Sequence, residues 1–580
     1  MSAQISFAAP FAQFEAGCNN FASQVANSVV NTTVFFAEVV PAGTNLTFPD
    51  QDPSCASTSS SQVVLADMCR VALNVSTSND SGIIMEAWLP KNWTGRFLST
   101  GNGGLGGCIQ YVDLAYTTAL GFATVGANNG HNGTSGALFY HNPEILADFV
   151  YRSVHTNAVV GKEITRLFYG TPHNTSYYLG CSTGGRQGFK SMQDFPDDFD
   201  GIVAGAPGIN WNSLMSWEDY VYSVLGRNNS SSTFITNDKW LSLVHKDVMK
   251  QCDTIDSVVD GIIEDPNLCN YRPEDLLCGS SSSNSSDCLT PEQVHALRLV
   301  YSPLYNSNGH LMYPRQQPGS EDPSYIDEIF GGQLVQFSAD WFRYVVYDPS
   351  FDLNTLNCQQ LNPFNIGTWN GNLSAFRNNG GKMLTYQGQA DMIVSPINME
   401  LYYAHVQRTM SLQSKEVDDF MRLFRISGMS HCANGPGAWE IGQTLPGVGG
   451  ELTEETLSPD RNVLTAMVKW VEEGVAPETI QGTKYVNDTK NLGVQFSRRH
   501  CRYPIRNTYN GIGDSSDPDI LAKDNFNSYL QTLGAVAISR AATCRKLAYQ
   551  CSDKSSAVST QHWGTAGTTP RLTCMSLVKD

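Results

Sequence analysis

Apolar and polar positions along this chain alternate in blocks whose period changes, and each change predicts an element. VVLADMCRVALNV (63–75) and GIIMEAWLP (82–90) carry β-branched and aromatic residues at strand spacing, so both predict strands. GRFLSTGNGGLGG (95–107) predicts a strand running into a glycine-rich loop, and AVVGKEITRLFYG (158–170) has the spacing of a helix. In YYLGCSTGGRQGFKSMQDFP (177–196) an aromatic run passes through a turn of small residues into a helix. Across 211–370 the texture becomes polar, Ser-rich and Trp/Tyr-rich. It then returns to strand and loop in KMLTYQGQADMIVSP (382–396), helix in INMELYYAHVQRTM (397–410), strand in FMRLFRISG (420–428) and helix in LTAMVKWVEEG (464–474). Such alternation, with no internal repeat, predicts an α/β protein with a mostly parallel sheet. The changed texture predicts an inserted domain. Residues 1–210 and 381–518 would form the main domain, 211–380 the insertion and 519–580 a C-terminal extension.

At 580 residues a large core with an insertion is readily buried. The 37 Lys and Arg against 55 Asp and Glu leave a net charge of −18. That field disfavours phosphate backbones and anionic membrane surfaces, so neither nucleic acid nor membrane is an expected partner. No run of 18 or more apolar residues is present. Asn-x-Ser/Thr acceptors occur at Asn31, Asn45, Asn74, Asn79, Asn92, Asn132, Asn174, Asn228, Asn229, Asn284, Asn372 and Asn487. The 15 cysteines form no Cys-x-x-Cys pair. Both features predict a secreted, disulfide-bonded glycoprotein, although MSAQISFAAPFAQF lacks the basic start and long apolar core of a signal peptide.

Gly180-Cys181-Ser182-Thr183-Gly184 fits Gly-x-Ser-x-Gly, a turn that exposes a serine between strand and helix. A serine nucleophile needs a base and oxyanion donors. The Thr183 N–H is the expected first donor, and the loop carrying Gly103 and Gly104 is placed to supply a second. In the α/β-hydrolase order, acid and base follow the nucleophile. His431 in RISGMSHCANGPG follows a strand and sits among small residues, whereas His500 lies in a basic, surface-like segment. Asp391 directly follows MLTYQG, whereas Asp418 and Asp419 lie in a charged stretch that reads as solvated. The expected triad is Ser182, Asp391 and His431. As bland alternatives, the pentad is an ordinary Gly-rich turn and a lone Asp or His is a surface residue.

With Cys181-Ser182, Asp391 and His431-Cys432 in order, and with GNGGLGG, GCSTGGRQG, FDGIVAGAP, YQGQAD and SHC around them, the sequence resembles the fungal tannase and feruloyl esterase family, its feruloyl esterase B members most of all. The likeness runs over roughly 10–518. It implies an α/β-hydrolase fold with a large inserted lid, a Cys181–Cys432 disulfide and a structural Ca2+ in the lid. Asp253, Asp256 and Asp260 in CDTIDSVVDGIIEDP are hard oxygen donors beside Gly261. By resemblance the ligands are these three carboxylates and the carbonyls of Val258 and Ile262. The alternative is an acidic loop pinned by a Cys252–Cys269 disulfide.

The resemblance implies a serine hydrolase of aromatic-acid esters, small or linked to polysaccharide, with feruloyl and hydroxycinnamoyl esters of plant cell walls first and galloyl esters, as in tannase, second. The aromatic Phe330, Trp341, Phe342 and Tyr344 are available to an aromatic pocket. A reading from another class is a non-catalytic secreted protein that binds calcium or glycan. The segment beyond 518 has no counterpart in the family and leaves Cys544, Cys551 and Cys574 as candidate partners of Cys501.

Overall fold

The structure, a computed structural model, describes residues 10–55, 60–279, 287–356, 361–509 and 549–552. Its main sheet uses β1 (Thr32–Val40), β2 (Met68–Ser76), β3 (Gly82–Pro90), β4 (Arg96–Thr100), β5 (Phe122–Ala127), β6 (Thr175–Cys181), β7 (Gly201–Gly205), β8 (Lys382–Gly388) and β9 (Met421–Ile426). The strand order is β1-β2-β3-β5-β4-β6-β7-β8-β9. β1 to β3 and the β3–β5 pair are antiparallel, whereas β5–β4, β4–β6 and β8–β9 are parallel. The mostly parallel α/β sheet expected from the alternation is therefore present, with an antiparallel N-terminal edge that the apolar pattern did not distinguish. β5, β6 and β8 are buried along nearly their whole length. Burial on both faces is usual for strands inside a largely parallel sheet with helices packed on it.

By contact the chain divides into two compact units. The first comprises Met1–Ala204, Pro363–Thr368 and Leu373–Lys382, and the second Gly205–Asn362, Trp369–Asn372 and Met383–Asp580. In the first, helix α1 (Pro10–Ser28) is stapled to β2 by Cys18–Cys69, and Cys55–Cys108 pins the far end of the glycine-rich loop. Helix α2 (Ser153–Tyr169) ends at Gly170, whose φ of 71° is the left-handed stop that glycine adopts without strain. Helix α3 (Thr183–Asp194) follows β6 after a single residue. The second unit holds α4 (Trp211–Val224), α5 (Ile397–Met410) and α6 (Val463–Glu473). Asn462 caps α6 by accepting from the N–H groups of Leu464 and Thr465 at 3.1 and 3.0 Å. Cys252–Cys269 and Cys278–Cys288 staple the same unit.

Three expectations need correction. Asp418 is 2 % exposed, accepting from Tyr403 Oη at 2.6 Å and ion-paired with Arg502. His500 is wholly buried in the strand Val494–Cys501. Asp418 is a paired interior carboxylate and His500 an interior imidazole on a backbone carbonyl, which local composition does not separate from a solvated surface. Third, Phe330, Trp341 and Phe342 are buried in packing: Phe330 stacks on Trp240 at 4.1 Å, and Trp341 meets Trp211 edge-on. The segment beyond 518, with Cys544 and Cys574, lies outside the described residues. The exception is Tyr549–Ser552, which includes Cys551 and pairs antiparallel with Arg506–Tyr509. Cys501 is disulfide-bonded.

Candidate active site

Ser182 stands between the end of β6 and the start of α3 with φ 63° and ψ −122°. A non-glycine residue in this region is strained, and its neighbours must hold it there. They do so by close approach. A methyl group on Gly180 would come within 2.8 Å of the Gly184 backbone, and one on Gly184 within 2.9 Å of the Asn102 carbonyl oxygen. The two glycines of the pentad thus let strand, turn and helix touch each other and the glycine-rich loop. Ser182 itself is half-buried.

The loop is held in detail on its protein side. Asn102 donates its side-chain amide to the carbonyls of Cys108 and Ala127 at 2.9 and 2.8 Å. Its N–H goes to Gln187 Oε1 at 3.0 Å, so that donor is already used. His131 Nε2 reaches the Leu105 carbonyl at 2.7 Å, and Thr183 Oγ1 donates to the Gly104 carbonyl at 2.7 Å. Gly103 is exposed and Gly104 half-buried with φ 55°. Among the described residues neither N–H donates to a backbone or side-chain acceptor. Gly103, Gly104 and Thr183 therefore lie on adjoining backbone, with loop amides available to an incoming oxygen.

In the second unit β8 and β9 present an acid and an imidazole. Asp391 is completely buried. Its Oδ1 accepts from the N–H groups of Ile393 and Val394 at 2.9 and 2.8 Å, and its Oδ2 from Gln387 Nε2 at 2.8 Å. The same Oδ2 meets His431 Nδ1 at 2.9 Å. A carboxylate with this many donors is held in one rotamer, which turns its Oδ2 toward His431 Nδ1 and directs the imidazole. The turn carrying Asp391 and the loop carrying His431 approach tightly: a methyl group on Gly388 would lie 2.3 Å from the carbonyl oxygens of Met429 and Ser430. Cys432 and Asn434 take positive φ of 65° and 63° where the loop turns back. Cys181 and Cys432 are each disulfide-bonded.

His500 is no competitor for the base. Its Nε2 engages the Ala438 carbonyl at 3.1 Å, and burial pushes the imidazole down to about 3, so it stays neutral. Sequence reasoning missed Gln387, Ser430, Asp322 and Tyr325, which touch the dyad or its loop. Gln387 and Ser430 lie inside the quoted motifs, but Asp322 and Tyr325 sit in aperiodic sequence that carried no signal.

The acidic loop is pinned by Cys252–Cys269. Asp253 accepts from the N–H groups of Gly261 and Ile262 at 3.1 and 3.2 Å, Asp256 from that of Val258 at 3.1 Å, and Asp260 from that of Ile262 at 3.1 Å. Asp260 also pairs with Arg498, which is 1 % exposed and reaches Glu264 as well. Burial, with the Asp260 carboxylate adding, raises Asp253 above the usual carboxylate range. The donors suit a hard cation in kind. As arranged, however, no three His, Cys, Asp or Glu side chains converge into a metal cluster among the described residues.

Residues 69–520 match the family described as tannase and feruloyl esterase. The chain belongs to this family. It is accordingly a carboxylic ester hydrolase with an α/β-hydrolase fold. A probable feruloyl esterase B-2 from Aspergillus oryzae is 52% identical over 511 residues, 87% of this chain and 94% of that protein. Among solved structures, feruloyl esterase B from Aspergillus oryzae has a TM-score of 0.81 at 47% identity, covering 87% of this chain and 99% of its own. Tannin acyl hydrolase from Aspergillus niger has a TM-score of 0.66 at 19% identity over 86% of this chain and 94% of its own, a likeness of fold. Family membership removes the non-catalytic binding protein as a reading of the chain.

Proposed function

We propose that the chain hydrolyses feruloyl and related hydroxycinnamoyl esters of plant cell-wall material through an acyl-enzyme on Ser182. The observation that carries this reading is the buried Asp391–His431 pair at 2.9 Å, in a chain whose similar relatives are named feruloyl esterase B. In the proposed first step the Ser182 hydroxyl oxygen bonds to the ester carbonyl carbon while its proton passes to His431 Nε2. The amides of Thr183 and of Gly103 and Gly104 receive the oxyanion, and Asp391 balances the imidazolium. Collapse breaks the acyl–oxygen bond, and the imidazolium returns its proton to the departing alcohol. Water then repeats the sequence on the acyl-enzyme and releases the aromatic acid.

The galloyl alternative is weaker because the tannin acyl hydrolase shares only 19% identity with this chain, against 52% and 47% for the feruloyl esterase B proteins. The deciding experiment compares kcat/KM on methyl ferulate, caffeate, p-coumarate, sinapate and gallate, for wild type and Ser182→Ala. Ferulate should exceed gallate, and Ser182→Ala should lose on the order of 10³-fold or more. An active Ser182→Ala sinks the mechanism, and a preference for gallate turns the assignment to tannase.

A Cys181–Cys432 bridge, a structural Ca2+ on Asp253, Asp256 and Asp260 with the Val258 and Ile262 carbonyls, and secretion as a glycoprotein belong to the same proposal. Secretion is supported by disulfides that include Cys18–Cys69, Cys55–Cys108, Cys252–Cys269 and Cys278–Cys288. It is also supported by the exposure of every described acceptor asparagine except the half-buried Asn74. Among the described residues no helix is long and apolar enough to cross a membrane.

A further inference from the structure

The segment Arg315–Tyr325, within 211–380, touches the acid-bearing turn at one end and the base-bearing loop at the other. At its start the Arg315 carbonyl accepts from Ser395 Oγ at 2.8 Å, four residues beyond Asp391. At its end Asp322 Oδ2 accepts from the hydroxyl of Ser430, the residue before His431, and Ser430 is 1 % exposed. Three residues further, the Tyr325 ring stands edge-on to the His431 imidazole, with centroids 6.2 Å apart and planes at 88°. We propose that this segment is a strut that sets the position of His431, with Asp322 as its principal positioning residue.

Stiffness supports the inference, because a floppy segment could not set a distance. Gln316 donates to Ser320 Oγ at 2.6 Å, Ser320 Oγ to the Gln317 carbonyl at 2.7 Å, and Gln317 to Asn267 Oδ1 at 2.6 Å. Glu321, 3 % exposed, takes the Tyr301 hydroxyl on Oε1 and His245 Nδ1 on Oε2 at 2.8 Å. Asp322 Oδ1 accepts from the Ser324 N–H at 2.7 Å, which holds the carboxylate toward Ser430. Polar side chains tied by several buried bonds have few arrangements available. Here the loop with positive φ at Cys432 and Asn434 has Asp322 as an external support.

The inference rests on His431 being the base, and the test separates the two. Kinetics on methyl ferulate are measured for Asp322→Ala, Asp322→Asn, Ser430→Ala, Asp322→Ala/Ser430→Ala and His431→Ala, below each variant's unfolding transition. Misplacing a catalytic group by about 1 Å costs on the order of 100-fold. Asp322→Ala is therefore expected to lose roughly 10- to 100-fold in kcat with KM little changed. Asp322→Asn should recover most of that loss, since its oxygen can take the Ser324 N–H while its amide donates to a rotated Ser430 hydroxyl. Ser430→Ala removes only a hydroxyl, guards against misfolding of the Asp322 variants, and should match Asp322→Ala. The double variant should be no worse than the worse single one, because both remove one bond. Wild-type kcat in Asp322→Ala, a rise in KM alone, or losses that multiply in the double variant would each overturn the strut while an inactive His431→Ala leaves the base in place. An active His431→Ala would overturn the base, and the strut with it.

Discussion

Glu440 offers a sharp physical test of the segment that follows His431. Its backbone is locked by reciprocal hydrogen bonds with Thr483, N–H to carbonyl at 3.1 and 3.0 Å, and the residue borders a pocket of about 20 Å³ together with Thr456, Arg461 and Tyr485. The residue is 5 % exposed. Burial, reinforced by the Asp488 carboxylate and opposed by Lys484 and Lys490, pushes its carboxyl up to about 8. A carboxyl raised on folding contributes stability that is fully present below its unfolded value near 4.5 and is lost as pH climbs through the folded value of about 8. At about 1.4 kcal/mol per pH unit, that window corresponds to about 5 kcal/mol at full strength. The adjoining cavity can hold a water, which softens the cost of ionisation, so we expect roughly half, ~2 kcal/mol. Glu440→Gln keeps the shape and removes the titration. Thermal unfolding at a fixed scan rate should show the variant equal to wild type near pH 4.5 and more stable at pH 8 and above, with a shallower pH slope between. If the two proteins share one pH slope, or if the variant is the less stable at pH 8, the carboxylate is solvated and the argument from burial is wrong.

Asp391→Asn should place an amide N–H against His431 Nδ1 and hold the wrong tautomer, lowering kcat by about 10³- to 10⁴-fold with the thermal midpoint little changed. Near-normal kcat would move the acid elsewhere. Gly184→Val should force α3 away from the Asn102 carbonyl, destabilising by about 1–3 kcal/mol and lowering kcat beyond that effect when measured in folded protein; unaltered activity and melting would contradict the close approach. For calcium, chelation should lower the wild-type thermal midpoint and leave that of Asp260→Ala unmoved, as mass action requires. No response to chelation, with no metal found in purified protein by elemental analysis, would leave only an acidic loop. Non-reducing peptide mapping should recover Cys181 joined to Cys432; a different partner for either cysteine refutes that pairing.

What the sequence by itself determined is what short-range rules encode. The 82–90 strand and the 397–410 helix have the bounds that their periodicity predicts, because side-chain period and propensity act within a few residues. The pentad around Ser182 was legible because its turn demands small residues at fixed offsets, and Asp391 and His431, which the structure pairs, because each follows a strand. Tertiary structure decided whatever depends on residues far apart in the chain. Gly184 is required because Asn102 comes against it, and Gly388 because Met429 and Ser430 do. Asp418 and His500, polar letters in polar stretches, are interior because Arg502, Tyr403 and the Ala438 carbonyl meet them there. Asp322 carried no sequence signal at all, since its partner Ser430 lies 108 residues away and a single hydrogen bond between distant segments leaves no period to read.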